Sequence, residues 1–424
     1  MTSFCSFIGK STGKGGLGLW THFLNATEVI TNYTSPSYSG PAIKLGAGVQ
    51  AYQAYEAAHA AGYRVTGGTC PTVGLVGGYT QGGGHGALTS MYGMGADNVL
   101  EWEVVTPKGE LVVTSPQNNS DLHWALSGGG GGTFGVVVSM TTKLHKDGRT
   151  SGGMLSFNTS SGVSAFWDVI EKFQGGLEPL VDSGAVALYQ ITNTNFLSIY
   201  TAPGSSAAEL EQKLEYFTSE LQLLGVDYTF TTSDDDTYFD HFVRYYGPLP
   251  AGIWETSHLV SSRLFPRSVI RDNNAGVIAA YRNITSDRNW IAAGLAMKAS
   301  HATAGNKPGD NAVLPAWRDA LIHTLFYSPW DWDASQSTMQ NREDHLTYNI
   351  APMVEALTPG SGTYLNEANF DQLDWQEHFY GDNYDELLAV KQKYDPHGLF
   401  YARTAVGSEA WAEDGNGRLC RTGS

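Results

Sequence analysis

Apolar and polar positions change period several times along this chain, and each change marks an element. Val49 to Ala61 is alanine-rich and stops at Gly62, which predicts a helix closed where a left-handed turn is tolerated. Leu100 to Val105 and Leu111 to Thr114 read as strands on either side of the turn Pro107-Lys108-Gly109, and Val136 to Thr142 alternates like a half-buried strand. Around Lys146-Asp147-Gly148 the composition shifts. Beyond it, Phe166, Val169, Ile170 and Phe173 share one helical face, and Ala185–Ile191 with Phe196–Thr201 predicts a strand pair across Thr192-Asn193-Thr194-Asn195. Leu210, Leu214, Phe217, Leu221 and Leu224 follow a 4-3-4-3 spacing, with Ser206 placed to cap the helix and Gly225 beyond its end. The expectation is an α+β chain whose second part holds an antiparallel sheet covered by helices on one face.

Length and composition narrow this further. With 424 residues, more than one domain is expected. Charged residues make up 16%, below the usual ~25%, while glycine is abundant at 50 residues. The formal net charge of −17 and the lack of a basic cluster argue against nucleic acid or an anionic membrane as partner. No apolar run approaches the ~18–20 residues of a membrane span, and Met1-Thr2-Ser3-Phe4 does not open a signal peptide. Asn-X-Ser/Thr sequons at Asn25, Asn32, Asn118, Asn158 and Asn283 nevertheless lean towards the secretory pathway. Cys5, Cys70 and Cys420 are too few for a disulfide scaffold. No His, Asp or Glu spacing resembles a metal site, so no metal is expected; nor is there a Gly-x-Ser-x-Gly elbow.

The chemistry concentrates in Gly67-Gly68-Thr69-Cys70-Pro71-Thr72-Val73-Gly74, followed by Gly77-Gly78-Tyr79-Thr80-Gln81-Gly82-Gly83-Gly84-His85-Gly86. Here one thiol stands at the edge of a backbone nearly stripped of side chains, which can approach a flat, charged ligand closely. Taken alone, Cys70 reads as a small buried hydrophobe. Gly128 to Gly132 forms a second glycine run. The closing stretch carries Tyr364-Leu365-Asn366-Glu367, Tyr380-Gly381-Asp382-Asn383-Tyr384 and Tyr394-Asp395-Pro396-His397-Gly398. From about Gly9 to the C-terminus these motifs resemble the berberine-bridge-enzyme-like flavoproteins, and more narrowly their fungal FAD-linked oxidases.

That resemblance implies an FAD-binding domain of the PCMH type over 1–148, a substrate-binding domain over 149–352, and a segment 353–424 returning to the FAD domain. It implies that Cys70 forms a 6-S-cysteinyl bond to the flavin, within the cofactor-binding loop Pro71, Thr72, Val73 and Gly74. Val73 would leave dioxygen a path to the ring. Gly77, Gly78, Tyr79, Gly82, Gly83, Gly84 and His85 would wrap the ring and pyrophosphate, with Tyr79 where plant relatives have histidine. Asn98, Val104 and Val136 would approach the FAD tail, and Asn366 and Asn383 the ring. Strand packing explains the two valines nearly as well, and turn roles the last two asparagines. The histidine expected to make a second flavin bond falls on Cys5, and its preceding glycine on Phe4, so a truncated or alternatively started chain is expected. Gly9-Lys10-Ser11 mimics a P-loop, but that motif fails at Phe4.

Flavin oxidation needs a proton acceptor. Plant members supply a glutamate from the central sheet, whereas Gly294 to His301 offers no carboxylate. Tyr364, His301 and Tyr189 remain as catalytic candidates, each equally readable as a packed or surface side chain. Arg263 and Arg318 could meet an anionic substrate group or simply be exposed. Cys420 could pair with Cys5 or with a cysteine further upstream. The expected function is an FAD-dependent oxidase acting on a C–H bond next to oxygen or nitrogen in an alcohol, amine or secondary metabolite. Its partners would be that small molecule and dioxygen, which would become hydrogen peroxide. The rival is a non-redox relative that binds a ligand or templates a cyclisation.

Overall fold

The computed structural model describes Lys10, residues 16–253 and residues 257–422. Cys5 therefore lies outside the described residues, and Cys420 is exposed and forms no disulfide among them.

Alternation along Val99–Val105 turns Trp102 and Val104 inward and Glu101 and Glu103 outward, and this strand lies near the centre of the first sheet. Its strands are β1 (Thr27–Ser35), β2 (Tyr38–Gly46), β4 (Val99–Val105), β5 (Leu111–Thr114) and β6 (Val136–Lys143), in the antiparallel order β1-β2-β6-β4-β5. A small ribbon, β3 (Tyr63–Arg64) with β7 (His145–Lys146), lies beside it. The helix Ala51–Ala60 buries Ala51, Ala54, Tyr55 and Ala58 and ends before Gly62, whose φ of 80° only glycine adopts cheaply.

The second sheet is built from β8 (Thr150–Asn158), β9 (Val186–Ile191), β10 (Asn195–Pro203), β11 (Tyr228–Asp235), β12 (His258–Pro266), β13 (Ile291–Ala296) and β14 (Ala320–Pro329). Its order is β11-β8-β10-β9-β13-β14-β12, again antiparallel throughout. Helices Val163–Gly175, Ala207–Leu223 and Arg267–Ser286 cover one face, around Phe166, Phe173, Phe217 and Tyr281. Ser206 caps the middle helix by accepting from the Glu209 amide, and Gly225 follows at φ 64°.

The other face of this sheet looks towards the glycine loops. Leu264, Leu295, Val313, Leu314, Trp317 and Tyr364 form a third core there, together with Met94 and Ala96 of the first unit. Asp97 fastens the two parts: its carboxylate accepts from both Arg318 Nη atoms at 2.9 Å and from Asn306 and Asn311 at 2.7 Å. After the helix Ala351–Leu357, whose Val354 sits in the second core, the chain crosses back, so the crossing comes later than residue 353. Leu365, Phe379, Tyr380, Leu387 and Val390 then join the first core, and the hairpin β15 (Trp411–Glu413) and β16 (Leu419–Arg421) follows. Among the described residues, no helix is long and apolar enough to cross a membrane.

Candidate functional site

Cys70 lies at the mouth of a loop held by the start of the helix Ala51–Ala60. The first amides of a helix have no partner within it, and here Ala51 and Tyr52 donate to the Val73 and Pro71 carbonyls. Gln50 Nε2 donates to the Thr72 carbonyl at 2.9 Å. The half-buried Cys70 Sγ lies 3.4 Å from Thr72 Oγ1, and Val73 is buried close to Gly68.

The two glycine runs face each other. Gln81 joins them, its carbonyl accepting from the Gly128 and Gly130 amides while its side chain holds the Val76 carbonyl. A methyl group on Gly131 would meet Gly78 Cα at 3.1 Å, and one on Gly86 would meet the Gly67 carbonyl oxygen at 1.9 Å. Tyr79 does not reach outward; its ring is buried against Gly68, Gly84 and Gly95. Asn366 donates to the Gly78 carbonyl at 2.6 Å and to Tyr364 Oη at 2.8 Å, so it positions the first run, and a side chain on Gly82 would strike it.

Beyond this cradle stands a polar cluster from three elements. His85 comes from the first glycine run, His323 from β14 and Glu367 from the closing loop. Glu367 Oε2 accepts from His323 Nε2 at 2.7 Å and lies 3.1 Å from His85 Nε2. The side chains of His85 and Glu367 are 14% and 15% exposed and that of His323 is fully buried, so any access to the cluster is at His85 and Glu367. Burial alone would raise the Glu367 carboxyl, but His85 and His323 hold it well below the usual carboxylate range. Burial lowers the His323 imidazole despite the opposing pull of Glu367. Trp317 and Tyr364 complete the walls, with the Tyr364 ring 5.0 Å from His85 and 5.7 Å from His323.

Of the three catalytic candidates only Tyr364 is here. Tyr189 belongs to the opposite face of the sheet: it shares a row with Gly294 and Thr324, packed on Phe173 and Phe196 under the helices. The site-facing row is Leu188, Leu295, His323 and Leu264. His301 starts a short helix and bonds Asn306 at 2.8 Å, outside the cluster. Both arginines are committed and shielded, not exposed: Arg263 to Thr358 and Arg318 to Asp97, Ala299 and Asn311. Asn98 spends its side chain on the Tyr92 and Met94 carbonyls and on His145. Val104 is core on β4, and Val136 is half-buried on β6. Asn383 holds the Ala312 and Val313 carbonyls, in a loop packed against Gly128.

His323 and Trp317 were missed by sequence reasoning, and Glu367 was seen within a motif but given no role. A lone histidine within the apolar run of a strand buried on both faces was the available signal for His323. The cradle suits a flat cofactor bearing an anion. Gly82, Gly84 and Gly86 have no room for a β-carbon, and the Lys10 ammonium, buried without a hydrogen-bond partner among the described residues, lies close to Gly130. Burial brings that amine down to about 7.

Residues 5–115 match the family described as FAD binding domain, and residues 363–407 the family described as berberine and berberine like. A VAO-type flavoprotein oxidase of Thermothelomyces thermophilus is 46% identical over 98% of this chain and 72% of its own length. A bifunctional decalin synthase of Penicillium decumbens is 46% identical over 98% of this chain and 73% of its own. Among solved structures, a VAO-type flavoprotein from Myceliophthora thermophila C1 superimposes with a TM-score of 0.95 at 45% identity, covering 99% of this chain and 76% of that one. A glucooligosaccharide oxidase from Acremonium strictum, with 6-S-cysteinyl, 8α-N1-histidyl FAD, shares the fold at a TM-score of 0.74 and 21% identity, over 91% and 81% of the two chains.

Proposed function

Because this chain belongs to the VAO-type, berberine-like family of FAD-linked oxidoreductases, we propose that it is an oxidase of a C–H bond next to oxygen or nitrogen, in an alcohol, amine or secondary metabolite. The observation that carries this reading is the His85–Glu367–His323 cluster, set where the glycine cradle meets the helix-free face of the second sheet. When bound, FAD supplies the two-electron acceptor that dioxygen reoxidises, giving hydrogen peroxide.

The protein's part is to bind, orient and keep water out. The two glycine runs offer a close-fitting backbone surface, and Lys10 offers a buried positive charge to the phosphates. Cys70 Sγ is the tether on the rim, and the small buried side chain of Val73 beside it leaves room for dioxygen. The donor's hydroxyl or amine is received by the open side of the cluster, with Trp317 and Tyr364 as flat apolar walls. This places the heteroatom among the polar groups and its carbon towards the cradle. Sequons at five exposed asparagines, Asn25, Asn32, Asn118, Asn158 and Asn283, support passage through the secretory pathway.

Acid precipitation of the purified protein tests the tether. Flavin colour should stay with the pellet, and the Cys70→Ala variant should lose that added mass; a Cys70→Ala protein still carrying covalent flavin would refute the attachment site. Peroxide release across a panel of alcohols and amines tests the oxidase reading. The decalin synthase relative favours one second reading, a cyclisation template, which a folded protein unable to take up FAD would support.

A further inference from the structure

We propose that His85, His323 and Glu367 bind a divalent transition-metal ion, in a two-histidine, one-carboxylate site beside the flavin cradle. The ligand atoms come from three separate elements and lie within 4.8 Å of one another. Ligands bound at about 2.1 Å and at right angles stand about 3 Å apart. The Nε2–Oε2 separations of 3.1 and 2.7 Å are close to that spacing, so small side-chain shifts admit the ion. Three ligands on one side of an ion, with the remaining positions open, form a facial triad, and the donor set of two imidazoles and one carboxylate suits zinc or iron(II). The backbone holds each ligand in place: β14 is an interior strand, and Asn366, next to Glu367, is bonded to the first glycine run.

Charge gives a second argument. Glu367 is nearly enclosed and meets two imidazoles, with no lysine or arginine in its hydrogen bonds or ion pairs among the described residues. A buried carboxylate must be hydrogen-bonded, paired or coordinated to a metal, and these two imidazoles can serve it either as hydrogen-bond donors or as fellow ligands of one ion. The Trp317 and Tyr364 rings shield the cluster from bulk water, which strengthens the pull of a cation on its ligands.

This inference deepens the oxidase reading and rests on it for the substrate. The open coordination positions face the side where the donor's hydroxyl is received. A divalent cation there lowers the pKa of a bound hydroxyl, so its proton is lost to water near neutral pH. With FAD bound, the C–H bond would break as a hydride leaves for the flavin and the C=O bond forms; dioxygen would then take the two electrons, with the hydride's proton and one from water, as hydrogen peroxide. The cluster thus supplies what the sequence did not show, a way to remove the proton without a free base.

The test is metal uptake by the chelator-treated chain, followed by calorimetry with Zn2+ and by the visible absorption of Co2+. One ion per chain is expected, with affinity falling more than about a hundredfold in His323→Ala and Glu367→Gln. Wild type that takes up less than a tenth of an ion at saturating Zn2+ or Co2+ overturns the proposal, whatever the variants do. So does an unchanged affinity in folded Glu367→Gln. Peroxide release at an undiminished rate after complete metal removal overturns it while leaving the oxidase reading intact. Stoichiometric binding by a chain that never takes FAD leaves the site standing and removes the oxidase.

Discussion

Tyr189 and His301 are tyrosine and histidine side chains of the kinds that serve as proton acceptors, yet neither lies in the site. The Tyr189 ring is buried on the helix-covered face, and His301 serves Asn306 in a short surface helix. Tyr189→Phe and His301→Ala are therefore expected to keep kcat/KM within about twofold, since a tenfold loss corresponds to about 1.4 kcal/mol and no contact to the site is removed. Tyr364 differs: its hydroxyl accepts from Asn366, which holds the first glycine run, and its ring walls the cluster. Steady-state kinetics on all three variants separate these roles. A tenfold loss in Tyr189→Phe would mean that the face assigned from the strand pairing is wrong.

At the scale of elements, strand period decided what could be seen in the sequence. The helix after Val49, the hairpin across Thr192–Asn195 and the Ser206-capped helix all follow from local spacing, because caps and alternation are local signals. The cradle was legible for the same reason, since consecutive glycines sit together in sequence and in space. The polar cluster was not, because His85, His323 and Glu367 are 238 and 44 positions apart and meet only through the sheet pairing and the returning C-terminal segment. Tyr189 misled because a one-residue step along β9 exchanges the faces, and nothing in a single strand says which face is covered.

The glycine runs give the matching prediction. A β-carbon on Gly86 would lie 1.9 Å from the Gly67 carbonyl oxygen, a backbone atom that cannot rotate away, whereas one on Gly148 meets nothing within 4 Å. Gly86→Ala must part the Cys70 loop from the first glycine run and is expected to cost several kcal/mol, beyond the ~1–3 kcal/mol typical of overpacking. Gly148→Ala should change the urea midpoint by no more than ~0.5 kcal/mol in equivalent stability. Equal midpoints for the two variants would show that the loops do not touch as described.

For the whole molecule, three shielded histidines outside the cluster, His241, His145 and His123, contribute to the response to acid. His241, in the helix Tyr238–Tyr246, bonds Thr201 at 2.8 Å and faces Asp235 and Arg244; burial brings it down to about 3. His145 is stacked on Tyr92 near Lys143 and Arg64, and burial followed by those two cations brings it to about 3. His123, near the Thr114 backbone, is lowered by burial to about 4. Each has a folded pKa below the unfolded value of about 6.5, so the unfolded chain binds the proton first. The stability they contribute is present above pH ~6.5 and is lost as pH falls towards 3–4, at about 1.4 kcal/mol per histidine per pH unit. The paired carboxylates behave separately: Lys44 and Ser139 lower Glu103, and Arg271 and Arg267 lower Glu178 despite burial, so their contributions fade only as pH falls below about 4.5. Between pH 7.5 and 5.5 these three histidines should thus remove about 4 kcal/mol from the unfolding free energy. Urea unfolding at those two pH values measures this directly. An unfolding free energy that does not fall over this range would mean that these imidazoles are solvated or charged in the fold, and the packing around the helix Tyr238–Tyr246 and the Asn98 turn would have to be redrawn.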